Sequence, residues 1–112
     1  MSIRTDWLER LLTQIAAALA RALGYRAQGA EEQALAEIHR VTLDVFGVPR
    51  SMLLLLDTRA ALEVLPTPKV REAAFRLLEA EAEILRSQGK VRDADELEAW
   101  LGRMRAADGQ KP

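Results

Sequence analysis

Apolar residues in this chain recur at three- and four-residue steps, run after run, and a glycine or a proline closes each run. Such spacing lines up one face of an α-helix. Leu8, Leu11, Leu12, Ile15, Leu19, Ala22 and Leu23 make the first face. Thr5 is its candidate N-cap, with Asp6 well placed in the first turn. Ala16 and Ala20, four apart, offer a place where another helix backbone can come close. The helix either ends at Gly24 or continues to Gln28 and stops at Gly29. Continuation is favoured, because one interior glycine costs only ~1 kcal/mol relative to alanine.

The second run opens with Ala30-Glu31-Glu32 and buries Ala34, Leu35, Ile38, Val41, Val45 and Phe46, until Gly47-Val48-Pro49 stops it. Two short helical segments then meet near Asp57, the first over 51–56 and the second over 58–65. Pro66-Thr67-Pro68 is a break. Thr67 is a good N-cap, and Pro68 sits at the first helical position, where its missing N–H does no harm. A long helix to Gln88 carries Val70, Ala74, Leu77, Leu78, Ile84 and Leu85. After Gly89 the last helix shows Val91, Ala94, Leu97, Leu101 and Met104, with Trp100 alongside. The polar stretch 107–112 is expected to fray.

Length and composition agree with this reading. The 112 residues suit one domain, and 49% of them are apolar, with alanine and leucine dominant and aromatics only 4%. Ala, Leu, Arg and Glu are strong helix formers. Sixteen basic and seventeen acidic residues give a net charge of −1. That balance argues against general nucleic-acid binding, which needs a basic stripe to displace counterions. The lack of cysteine excludes disulfides, thiolate metal sites and thiol catalysis. Met1-Ser2-Ile3-Arg4-Thr5-Asp6 lacks the pattern of a signal peptide, and the aliphatic run 52–56 is far short of the ~20 residues that span a bilayer. The expected compartment is the cytoplasm, with no membrane attachment.

One internal echo stands out. Gln28-Gly29 and Gln88-Gly89 lie 60 residues apart, and each glycine precedes an alanine by five, Ala34 and Ala94. Ala20, Ala22 and Arg26 correspond to Ala80, Ala82 and Arg86 at the same offset. Physically this reads as a repeated αα-hairpin, with a glycine for the tight turn and small residues for close packing. The turn resembles the tetratricopeptide hairpin, and Tyr25 stands where that motif prefers an aromatic. Arg21 and Glu81 depart from it at positions usually apolar, as does Glu98 where an aromatic is common. A plain helical bundle is the other reading.

A second resemblance spans most of residues 4–104. Arg4-x-Asp6-Trp7-Leu8-x-Arg10-Leu11-Leu12-x-Gln14-Ile15 is similar to the opening of a family of short uncharacterised bacterial proteins. Gly29, Phe46-Gly47 and the aliphatic run 52–56 fit its later landmarks. Ala30 stands where that family often has a basic or aromatic residue. The resemblance implies a tetratricopeptide-like fold and no established activity.

Chemistry is sparse. His39 is the only histidine, and one histidine among carboxylates at unsuited spacing reads as a surface residue rather than a metal ligand or general base. Glu79, Glu81 and Glu83, then Asp93, Asp95, Glu96 and Glu98, are scattered around two helices and read as solvated faces, some paired as in Glu72–Arg76 and Arg92–Glu96. No phosphate loop, dinucleotide fingerprint or nucleophile elbow appears. Trp7 and Trp100, near opposite ends, form either one terminal seam open to a partner or part of the core. The run 52–56 is apolar on all sides if helical, so it is either buried all round or one side of it meets a partner.

The expected protein is therefore all-α: hairpins over 5–46 and 68–106 joined by a helical connector over 50–65. It is expected not to be an enzyme, and to use no cofactor, metal or small-molecule substrate. Its expected role is a protein-interaction module or adaptor, with Trp7, Tyr25, Arg26, His39, Arg86 and Trp100 as candidate partner contacts. The alternative is a self-associating structural homo-oligomer.

Overall fold

The structure, a computed structural model, describes residues 3–65 and 67–109, with side chains from residue 6 onward. Within them the apolar runs become six helices and no strand. In order these are α1 (Ile3–Ala27), α2 (Glu31–Phe46), α3 (Arg50–Leu53), α4 (Thr58–Glu63), α5 (Pro68–Ser87) and α6 (Val91–Gly109). The protein is an all-α bundle of two long hairpins, α1–α2 and α5–α6, with α3 and α4 between them.

The two hairpin turns are built alike. Gly29 and Gly89 adopt φ of 77° and 81°. At the first turn Ala30 N–H donates to the Tyr25 carbonyl at 2.8 Å and Gly29 N–H to Arg26 at 3.0 Å. At the second, Lys90 N–H donates to Leu85 at 2.9 Å and Gly89 N–H to Arg86 at 3.0 Å. This pair of bonds is the Schellman closure, which satisfies carbonyls left open at a helix end. The two small pairs of the echo nearest the turns, Ala22 with Ala82 and Ala34 with Ala94, are fully buried. Their missing bulk lets the helices approach. The sequence echo is thus a repeated local geometry, and α1 continues through Gly24 as expected.

Other boundaries follow from capping. Gly47 ends α2 at φ 76°, its N–H donating to Leu43 at 2.8 Å. Asp57 caps α4 by accepting from Ala60 N–H, and Thr67 caps α5 by accepting from Val70 N–H at 3.2 Å, with Pro68 in the first turn. Thr5 lies inside α1 rather than ahead of it, and its side chain falls outside the described residues. Pro66 of the expected break, and 110–112 of the expected frayed tail, fall outside them too.

Packing places α5 at the centre, against α6, α1 and α2. More than half of its circumference is buried, through Val70, Ala74, Phe75, Leu77, Leu78, Ala80, Glu81, Ala82, Ile84 and Leu85, while Lys69, Glu72, Arg76, Glu79, Glu83 and Arg86 form one exposed stripe. On α1 the close-approach alanines are Ala18 and Ala22, not Ala16 and Ala20, which are exposed; Leu23 is exposed as well. The buried stripe Leu11, Ile15, Ala18, Ala22 faces the rest of the bundle, so its neighbours on the helical wheel face outward. Val91 on α6 is exposed for the same reason.

Two further expectations change. Instead of fraying after 106, the last helix runs to Gly109. Arg71 holds it there, donating to Asp108 at 2.8 Å and to the Leu65 carbonyl at 2.7 Å, and Ala107 packs on the core. The run 52–56 is not buried all round, which leaves one side of it exposed. Leu53 is in the core, Leu54 and Leu56 lean on it, and Met52 and Leu55 are 50% and 79% exposed. The helix lasts only four residues before three-residue turns replace it, so one side of the run never meets the bundle.

At Gly29 and Gly89 an added Cβ would meet no atom within 4 Å. Gly29→Ala and Gly89→Ala therefore carry backbone strain alone, and each should lower stability by about 1–2 kcal/mol in urea denaturation. The two losses should be similar in size.

Candidate functional site

A carboxylate in the middle of the core is the feature that most needs explaining. Leu77, Leu78, Glu81 and Leu85 share one stripe of α5, so position 81 is carried inside with its apolar neighbours. Glu81 is 2% exposed, the only charged side chain in the core among the described residues. An isolated buried charge is costly, and it persists only when paired and hydrogen-bonded.

Arg50 supplies the pairing. The stop at Gly47 and the extended Pro49 turn the chain so that α3 begins with Arg50 facing α5. Its Nε donates to both oxygens of Glu81, at 3.0 Å to Oε1 and 2.8 Å to Oε2, and Nη2 lies 2.8 Å from Oε2. Such a fork matches the planar guanidinium to the carboxylate. From α2, His39 Nε2 lies 3.5 Å from Oε1. Burial works to raise the Glu81 pKa, but the hydrogen bonds and charges of His39 and Arg50 outweigh it. They hold the carboxyl below its ordinary value of 4.5.

This cluster lies in a cleft of about 530 Å³ walled by α2, α3, α5 and α6. Leu54, Leu55 and Leu85 supply its apolar lining, and Asp93 and Glu96 of α6 supply its acids. Ser51 also lines it, yet among the described residues no hydrogen bond joins Ser51 to His39. A nucleophile–base relay needs that bond. What the arrangement does is hold a neutralised ion pair beneath an apolar opening. Among the described residues no group of three or more His, Asp or Glu is placed to hold a metal ion. No described helix is long and apolar enough to cross a membrane.

The residues expected to meet a partner are not brought together. His39 alone faces the cleft. Trp100 is 2% exposed and packs edge-on to Phe46, with ring centroids 6.1 Å apart, so it belongs to the core and offers no partner contact. Trp7 is 48% exposed and lines a separate shallow cleft with Phe46, Glu63 and Val64. The two tryptophans make no open terminal seam, because Trp100 turns inward from α6. Tyr25 leans on the core beside the first turn. Arg26 reaches across the hairpins to Glu83 at 2.9 Å, and Arg86 pairs within its own hairpin with Asp95 and Glu98 at 2.8 and 2.9 Å. Glu79 and Glu83 are solvated and paired, as expected, and so are Glu72–Arg76 and Arg92–Glu96. Glu81 is the exception to the expected solvated face, since α2 and α3 cover it. Its place on the Leu77–Leu78–Leu85 stripe was the available signal. Arg50 had no such signal, since its role depends on the turn before it.

Comparison with protein-family models, with curated proteins and with solved structures finds no match.

Because the folded carboxyl of Glu81 titrates below its unfolded value, its contribution to stability is complete above pH 4.5. It is lost as pH falls through the lower, folded-state value. Urea midpoints should therefore drop on acidification below pH 4.5, and Glu81→Gln should remove part of that dependence. Glu81→Ala strands the Arg50 charge and should cost about 3–5 kcal/mol, whereas Arg50→Met with Glu81→Leu should recover most of it. Denaturation of the three variants at pH 7 checks the contrast.

Proposed function

We propose that this protein is a helical protein-interaction module whose docking site is the cleft over Glu81. The observation that carries this reading is the exposure of Leu55 and Met52 on the connector that walls the cleft. Large aliphatic side chains held in solvent beside a concave apolar lining favour association. The buried Arg50–Glu81 pair supports the reading by anchoring the connector, so that the wall is set before a partner arrives.

The repeated Schellman turns, with α5 packed on both helices of the first hairpin, support a tetratricopeptide-like arrangement of the hairpins. A binding role in place of catalysis goes with this reading. So does a partner that is a protein rather than nucleic acid, membrane or small molecule, and the cytoplasm is the compartment it suits.

Affinity capture with the whole chain, comparing wild type with Leu55→Asp, tests the proposal. A partner recovered in stoichiometric amount by wild type and lost with the variant is the expected result. Since Leu55 is exposed, its substitution should change stability by no more than about 0.5 kcal/mol. Equal recovery by both baits would overturn the assignment of the cleft.

Self-association is favoured by a different observation. Trp7 and Val64, both more than a third exposed, line the shallow cleft at the C-terminal end of α2. On that reading the chain is a dimer at micromolar concentration and Trp7→Ser is a monomer, as measured by sedimentation equilibrium. A wild-type monomer would dismiss it.

A further inference from the structure

We propose that the cleft over Glu81 selects a segment in which a lysine or arginine stands beside large aliphatic residues; this rests on the docking site assigned above. Arg50 is the strongest cation in the cleft, and it is committed to Glu81, with Nε shared between the two carboxylate oxygens and Nη2 on Oε2. A fork of this kind leaves little net charge. The charges that remain toward solvent are Asp93 and Glu96, one turn apart on α6. Asp93 forms no ion pair among the described residues, and Glu96 meets only Arg92, at 3.8 Å, whose side chain is 92% exposed. Arg50 and Glu81 are therefore spent on each other, and two carboxylates border an apolar lining made by Leu54, Leu55 and Leu85.

A ligand cation satisfies this border, and an aliphatic side chain beside it covers the leucines. An acidic segment would face two unpaired carboxylates, and like-charge juxtaposition selects against it. A purely apolar segment would leave both acids partly desolvated without partners. His39, from α2, lines the same cleft and is engaged with Glu81, its Nε2 3.5 Å from Oε1.

The test is fluorescence anisotropy of three terminally blocked, labelled peptides in Ser-Gly flanks. One is centred on Leu-Lys-Leu-Leu, one has Glu in place of Lys, and one has Ser in place of each Leu. The expected result is that the Lys–Leu peptide binds the whole chain and the other two bind at least tenfold more weakly. The double variant D93N/E96Q should weaken the Lys–Leu peptide by about three- to tenfold, with a smaller salt dependence, as two exposed ion pairs would. Leu55→Ser should abolish binding. Asp93, Glu96 and Leu55 are all exposed, and an unchanged urea midpoint will show that the variants fold. Equal binding of the Lys and Glu peptides, both lost in Leu55→Ser, would overturn the cation preference and leave the docking site standing. Binding indifferent to all three substitutions, or no binding of any peptide below millimolar concentration, would overturn the inference; the capture experiment with Leu55→Asp then decides the docking site separately.

Discussion

Everything in this bundle is arranged around α5, which touches both helices of the first hairpin and its own partner α6. On the side of α5 turned into the bundle, polar atoms must be satisfied by the protein, since water is excluded. Glu81 is where that constraint acts most strongly. Its carboxylate recruits Arg50 from the start of α3 and His39 from α2, and so ties three elements of the fold to one buried point.

That tie explains the connector. A four-residue helix has little stability of its own, because the first turn of any helix is the costly one. Here α3 is held at both ends of its short length, by Arg50 on Glu81 and by Leu53 in the core. Met52 and Leu55 are turned outward as a geometric result. A buried ion pair is weak evidence of net stabilisation, because desolvation offsets much of the Coulomb attraction. Its contribution here is orientation, and the exposure of Met52 and Leu55 beside the proposed docking site follows from it.

The internal echo shows how equal local structure acquires unequal roles. Arg21 and Glu81 occupy equivalent positions in the two hairpins, 60 residues apart. Arg21 lies on α1, at one side of the bundle, where it pairs with Glu37 in solvent. Glu81 lies on α5, where α2 and α3 close over it. Arg26 and Arg86 diverge in the same way: the first bridges the hairpins, the second stays within its own. The hairpin closures repeat because each depends on a glycine and the five residues that close the turn with it. The environments differ because the neighbours are supplied by the rest of the chain.

The sequence by itself determined what is local. Helical periodicity, the glycines at 29, 47 and 89, the break near Asp57, the cap at Thr67 and the alanines five after two turns are all set within a few residues, and all were legible. The tertiary structure decided what depends on distant partners. It turned Trp100 inward onto Phe46, and it chose Ala18 and Ala22 over Ala16 and Ala20 as the contact face. It held the last helix to Gly109 through Arg71, and it made Glu81 a core residue by bringing Arg50 across 31 positions of sequence. The physical reason is the same in each case. A helix presents several faces at similar apolar cost, and only the packed neighbours determine which face is removed from water.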